Sequence, residues 1–180
     1  LAEGSIAALK EREALRSTRQ IPGTRVYLAS EPGLEALAES VGRELSLLGA
    51  EVVVNRSATD ESAVADAANR FEAGVCLSLR LGDAPGCCCS YFESGGFRSE
   101  AGFHLAGRLL EELARTALMC GGTRGRTYAL LRETRMPAVV CEPVEAGDVA
   151  AMRQLVSASG AVARAVALGV QRGVEEPPDD

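Results

Sequence analysis

Gly125 to Glu142, GRTYALLRETRMPAVVCE, is the stretch that decides how this chain is read. It reads as a strand, a turn bearing Pro137, and a second strand, Ala138 to Cys141, that ends in the carboxylate of Glu142. The second strand is apolar throughout, as strands buried on both faces of a sheet are.

Working outward, the same grammar recurs on the N-terminal side. Thr24 to Ala29 is a first strand, and Ser30-Glu31-Pro32-Gly33 turns it into a helix that runs to about Leu48. Leu34, Leu37, Val41, Leu45 and Leu48 fall three or four residues apart, so one stripe faces a sheet and Gly49 caps the end. Glu51 to Asn55 is the next strand; Thr59-Asp60-Glu61 opens another helix, and Val75 to Leu81 is the third strand. Cys87 to Glu93 forms a fourth strand, with Ser94-Gly95-Gly96 as a flexible connection. Ser99 and Glu100 start the longest helix, which breaks at Gly121-Gly122.

Beyond Glu142, Gly147-Asp148 begins a helix and Ala161 to Gln171 forms the last one. The alternation predicts a three-layer α/β domain with about six strands in a mostly parallel or mixed sheet and helices on both faces. Residues 1–23 divide off as an amphipathic helix with Ile6, Leu9 and Leu15 on one side, followed by a linker. Residues 24–172 form the domain, and 173–180 (GVEEPPDD) read as an acidic, disordered tail.

Composition narrows the function. With 47% hydrophobic and 24% charged residues the chain is ordinary globular material, long enough for a real core. No apolar run approaches the roughly 20 residues of a membrane span. The net charge of −6 argues against a nucleic-acid partner. Lys10 is the only lysine, and the dominance of arginine points to a GC-rich genome. The cysteines, Cys76, Cys87, Cys88, Cys89, Cys120 and Cys141, lie largely in apolar runs, where free cysteine behaves as a small buried hydrophobe, so a reducing compartment is expected. Adjacent cysteines on a strand point to opposite faces, and no CxxC pair has zinc spacing. His104, the only histidine, lies four residues from both Glu100 and Arg108 and is read as a solvated surface residue.

Three ordered segments carry a family likeness. RGRTYALLRETRMPAVVCEP (124–143), GAEVVVNR (49–56) and AANRFEAGVCLSLRL (67–81) resemble the type-3 zinc-dependent N-acetylmuramoyl-L-alanine amidases. The resemblance covers about residues 24–172 and implies that family's α/β fold. GSIAALKE (4–11) resembles the closing helix of a peptidoglycan-binding repeat. The amidase pattern implies a zinc held by two histidines and a glutamate, with a further glutamate as general base.

This chain departs from the pattern at its ligands. Ser30-Glu31-Pro32-Gly33 stands where the first histidine loop is expected, and Ser78-Leu79-Arg80 stands in place of Ser-x-His. Glu31 or Glu35 falls near the position of the metal-binding glutamate, and Glu142 matches the catalytic one. Arg80 is a fixed cation, so zinc is expected to be lost and Arg80 to pair with Glu142 across the degenerate pocket. Glu142 is then a vestigial catalytic residue.

The resemblance implies a catalytically inactive pseudo-amidase similar to the CwlM-type regulators of actinobacteria, whose segment is close to Thr127–Pro137. That implies a cytoplasmic, protein-binding regulator of peptidoglycan precursor synthesis, with a UDP-N-acetylglucosamine enolpyruvyl transferase as partner. The alternatives are an amidase with an atypical metal site that uses unorthodox ligands such as cysteines, and a non-hydrolytic muropeptide-binding module; Cys141, the thiol beside Glu142, is read as core packing. Aromatic residues at 4%, with no Trp, leave little for stacking on sugars and place the last below protein binding.

Overall fold

Strand-forming runs and helical stripes assemble into one mixed sheet with helices on both faces. The computed structural model describes residues 19–178. The expected helix over 3–19 thus lies, but for Arg19, outside the described residues. The strands are β1 (Arg25–Ser30), β2 (Glu51–Asn55), β3 (Val75–Leu79), β4 (Cys87–Ser94), β5 (Phe97–Arg98), β6 (Cys120–Arg126) and β7 (Ala138–Glu142). The helices are α1 (Glu35–Leu47), α2 (Glu61–Arg70), α3 (Glu100–Leu113), α4 (Ala129–Glu133), α5 (Val149–Ser157) and α6 (Ser159–Glu175).

The sheet has seven strands in the order β2-β1-β3-β7-β4-β5, with β6 also pairing β4. β2, β1, β3 and β7 run parallel, and β4 lies antiparallel to β7. Because side chains alternate along a strand, each central strand feeds two cores. Val26, Leu28, Leu77, Leu79, Val139 and Cys141 pack in the larger core, with Val41 and Leu45 of α1, Leu109 of α3 and Val166 of α6. Tyr27, Ala29, Cys76, Ala138 and Val140 face the other way, onto Val64 and Ala68 of α2 and Leu130 of α4.

Polar caps set where the helices start. Asp60, Ser99 and Asp148 accept from the backbone N–H groups of Ala63, Gly102 and Ala151, as expected of these residues at N-caps. Gly169 and Gly173 let α6 press against α3: a Cβ on Gly169 would fall 2.7 Å from the Leu109 Cα.

Four expectations need correction. The central stretch is not strand, turn, strand: β6 begins at Cys120, and α4 stands between it and β7. Ser94-Gly95-Gly96 is a tight hairpin turn joining β4 to β5, with φ of 56° and 82° at its two glycines. Among the described residues α6 is the longest helix, and it continues to Glu175, so the start of the acidic segment is ordered. Val174 packs on the larger core and Glu176 is held by Arg172 and Arg108, contacts that composition does not disclose. Ile21, assigned to the linker, is fully buried, and its N–H donates to Glu175 Oε1 at 3.1 Å.

Candidate functional site

Alternation along the strands builds the site. Continuing the side of Tyr27 and Ala29, of Cys76 and Ser78, and of Ala138 and Val140 brings Glu31, Arg80 and Glu142 to one face, at the C-terminal ends of three adjacent parallel strands. Backbone pairing carries past the strand ends: Glu31 N–H donates to Leu79 O and Arg80 N–H to Cys141 O. Glu31 turns its carboxylate onto the Leu81 N–H.

Glu35 does not join this group. It lies in the first turn of α1, where Oε2 accepts from the Gly33 N–H and Oε1 from the Ser57 hydroxyl, each at 2.8 Å. Its own backbone N–H, then Ser57 and Gly33, hold its carboxyl below the usual range.

The expected Arg80–Glu142 pair is not formed. Arg80 Nη1 stands 2.6 Å from Glu61 Oε1, and its guanidinium lies 5.0 Å from the centre of the Tyr128 ring. Glu61, at the start of α2, also accepts from the Leu130 N–H at 3.2 Å and so ties α2 to α4. A cavity of about 220 Å³ opens here among Glu31, Asp60, Glu61, Ser78 and Arg80. A second cavity, of about 580 Å³, lies by Thr24, Val75 and Ala138 at the other end of the strands and includes none of the expected site residues.

Glu142 is 4% exposed, and its Oε2 has no hydrogen-bond partner. Burial, then the charge of Asp83, pushes its carboxyl up; Arg126, Arg124 and Arg80 oppose that shift. The two arginines of β6 are committed elsewhere: Arg126 grips both Asp83 oxygens at 3.2 and 3.0 Å, and Arg124 reaches Oδ1 at 3.4 Å. The Tyr128 ring is approached by both guanidiniums, Arg80 at 5.0 Å and Arg126 at 5.8 Å from its centre. Burial, then Glu142, pushes its phenol up.

Several residues sit differently from their sequence reading. His104 is buried, with Nε2 3.0 Å from Glu176 O, because the end of α6 covers the stripe that looked solvated. The six cysteines are not all free: Cys87 and Cys120 form a disulfide between directly paired residues of β4 and β6. Cys141 faces the larger core opposite Cys89, so the thiol across the ladder from Glu142 is Cys88. Burial raises the Cys76 thiol to about 12.

The groups at the positions where the resemblance implies zinc ligands are engaged in other contacts. The Arg80 guanidinium occupies the end of β3, the Glu31 carboxylate is engaged by backbone, and His104 is bound to the C-terminal end of α6. Among the described residues no three His, Cys, Asp or Glu side chains are grouped to hold a metal. Glu61, Asp83, Arg124, Arg126 and Tyr128 were missed by sequence reasoning. The one available signal was the Asp60 N-cap, which fixes Glu61 in the first turn of α2.

No protein-family model and no curated protein matches the chain. Solved structures do. An N-acetylmuramoyl-L-alanine amidase from Clostridium difficile 630 superposes with a TM-score of 0.72 at 15% identity, covering 87% of this chain and 99% of that one. The fold is that of the N-acetylmuramoyl-L-alanine amidases. AmiC2 of Nostoc punctiforme gives 0.68 at 18% identity, over 82% of this chain and 94% of that one. The catalytic domain of CwlV from Bacillus (Paenibacillus) polymyxa gives 0.66 at 22%, over 82% and 96%. The likeness extends over nearly the whole of these amidase-fold chains, and at such identities it speaks for the fold.

Proposed function

We propose that this amidase-fold domain belongs to peptidoglycan metabolism and works by binding protein, without hydrolysing the wall. The observation that carries the reading is Arg80. In the amidase pattern its position belongs to a metal-binding histidine, and here it holds a fixed cation paired to Glu61 and seated on Tyr128. A cationic group at that point repels Zn²⁺ and offers no lone pair to it. Without the metal, Glu142 has no bound water to deprotonate.

The partner we propose is an enolpyruvyl transferase acting on UDP-N-acetylglucosamine, and the place of action is the cytoplasm, where that precursor is handled. The likeness of Thr127–Pro137 to the CwlM-type segment supports this assignment. The test combines zinc content after metal loading, amide hydrolysis of a muramyl peptide, and calorimetric titration with the transferase. The reading expects far less than one zinc per chain, no cleavage, and saturable binding. One zinc per chain with turnover, or no binding to the transferase, would overturn it.

A further inference from the structure

β6 is weakly anchored by its side chains. It pairs only with β4, none of its residues is buried, and three of the seven, Gly121, Gly122 and Gly125, bring no side chain at all. Its register on β4 also shifts between Cys87 and Cys88. Yet it delivers Arg124 and Arg126, which hold Asp83 and act on the charge of Glu142, whose Oε2 has no hydrogen-bond partner, and Arg126 also lies over the Tyr128 ring. Its one covalent tie is at its first residue, where Cys120 is bonded to Cys87.

We propose that the Cys87–Cys120 disulfide is a redox-operated latch on β6. Closed, it keeps Arg124 and Arg126 over the Glu142 end of the sheet; open, it releases the strand and both arginines together. The latch needs no assumption about hydrolysis or about the protein partner.

The chemistry suits the burial pattern. Cys120 is half-buried, whereas Cys87 and the four free cysteines are buried. A dithiol reductant therefore attacks at Cys120 Sγ: one reductant thiolate bonds to it, the Cys87–Cys120 bond breaks, and Cys87 leaves as a thiolate that takes up a proton. The second reductant thiol then displaces Cys120 in the same way, leaving two protein thiols and an oxidised, disulfide-bonded reductant. A small-molecule disulfide runs the exchange backwards. Cys89 and Cys141 face each other one pair along the ladder but are fully buried, out of reach of either reagent.

The test uses the full chain purified without reductant. Alkylation in denaturant is expected to label the four free cysteines before reduction and all six after it. Hydrogen–deuterium exchange read by mass spectrometry is then compared between oxidised and reduced protein. Reduction is expected to speed exchange across 120–128 by about tenfold or more while β1 and β3 stay protected. Cys120→Ser should show the fast pattern without reductant, and Cys88→Ser should respond to reduction as the natural chain does. Six alkylated thiols before reduction would overturn the proposal. So would unchanged exchange at β6, or a rise shared by every strand, which would make the bond a general staple.

Discussion

Arg80 and Glu61 form the ion pair that closes the end of β3, with 2.6 Å between Nη1 and Oε1 and less than a third of either side chain exposed. Glu61 is held from a second side by the Leu130 N–H, so the pair also fixes α2 against α4. Glu61→Gln should therefore destabilise the fold by about 2 kcal/mol, since it leaves a half-buried guanidinium without its charge partner. The check is the midpoint of urea unfolding. An unchanged midpoint would mean that the pair is ornamental.

Arg80→His tests the site's chemistry from the opposite direction. A single imidazole at the end of β3 has no second histidine to complete a zinc site, because His104 is buried against α6. Zinc content after metal loading is expected to stay far below one per chain. Stoichiometric zinc in this variant would show that Glu31 and Glu142 complete a site on their own.

Glu142 should make stability fall as pH rises. Its carboxyl titrates above the ordinary value in the folded chain, so the folded state holds the proton more tightly than the unfolded one. The contribution is complete below the unfolded pKa and is lost as pH climbs through the raised one. Glu142→Gln should accordingly raise the stability read from urea unfolding at pH 7 by on the order of 1 kcal/mol, and the advantage should vanish near pH 4. A gain of equal size at both pH values would contradict this account.

Gly169→Ala should destabilise despite the better helix propensity of alanine, a gain of at most about 1 kcal/mol. The new methyl would meet the Leu109 backbone, which cannot turn aside, and the net loss is expected to be about 1–3 kcal/mol. Gly173→Ala should cost less, because its nearest contact is the movable end of the Leu105 side chain. Thermal midpoints of the two variants give the comparison.

The sheet was legible in the sequence wherever a strand was buried on both faces. β1, β3 and β7 announce themselves as apolar runs, and period-two alternation already places Glu31, Arg80 and Glu142 together. β6 was not legible from end to end, because CGGTRGR offers neither apolar alternation nor β-branched bulk beyond Thr123. α4 is one turn long, too short for a helical stripe to show. The Arg80–Glu61 pair depends on where α2 lands over the sheet, which strand and helix patterns leave open. His104 was misread for a related reason: helical spacing identifies a face, and only packing decides what covers it.

The antiparallel step between β4 and β7 has a consequence for how the domain can vary. Because β4 runs against its neighbour, Cys88, near its start, stands opposite Glu142 at the end of β7. The segment from Arg80 to Gly86 therefore enters and leaves at the rim of the site, carrying Asp83 with it, while the buried ladders lie behind it. Recoding the tip of that segment, Asp83 to Pro85, would change what the rim presents while leaving Leu81 on the larger core and Arg80 N–H on Cys141 O. The rim and the core can thus diverge at separate rates, and one scaffold can change its occupants while keeping its frame.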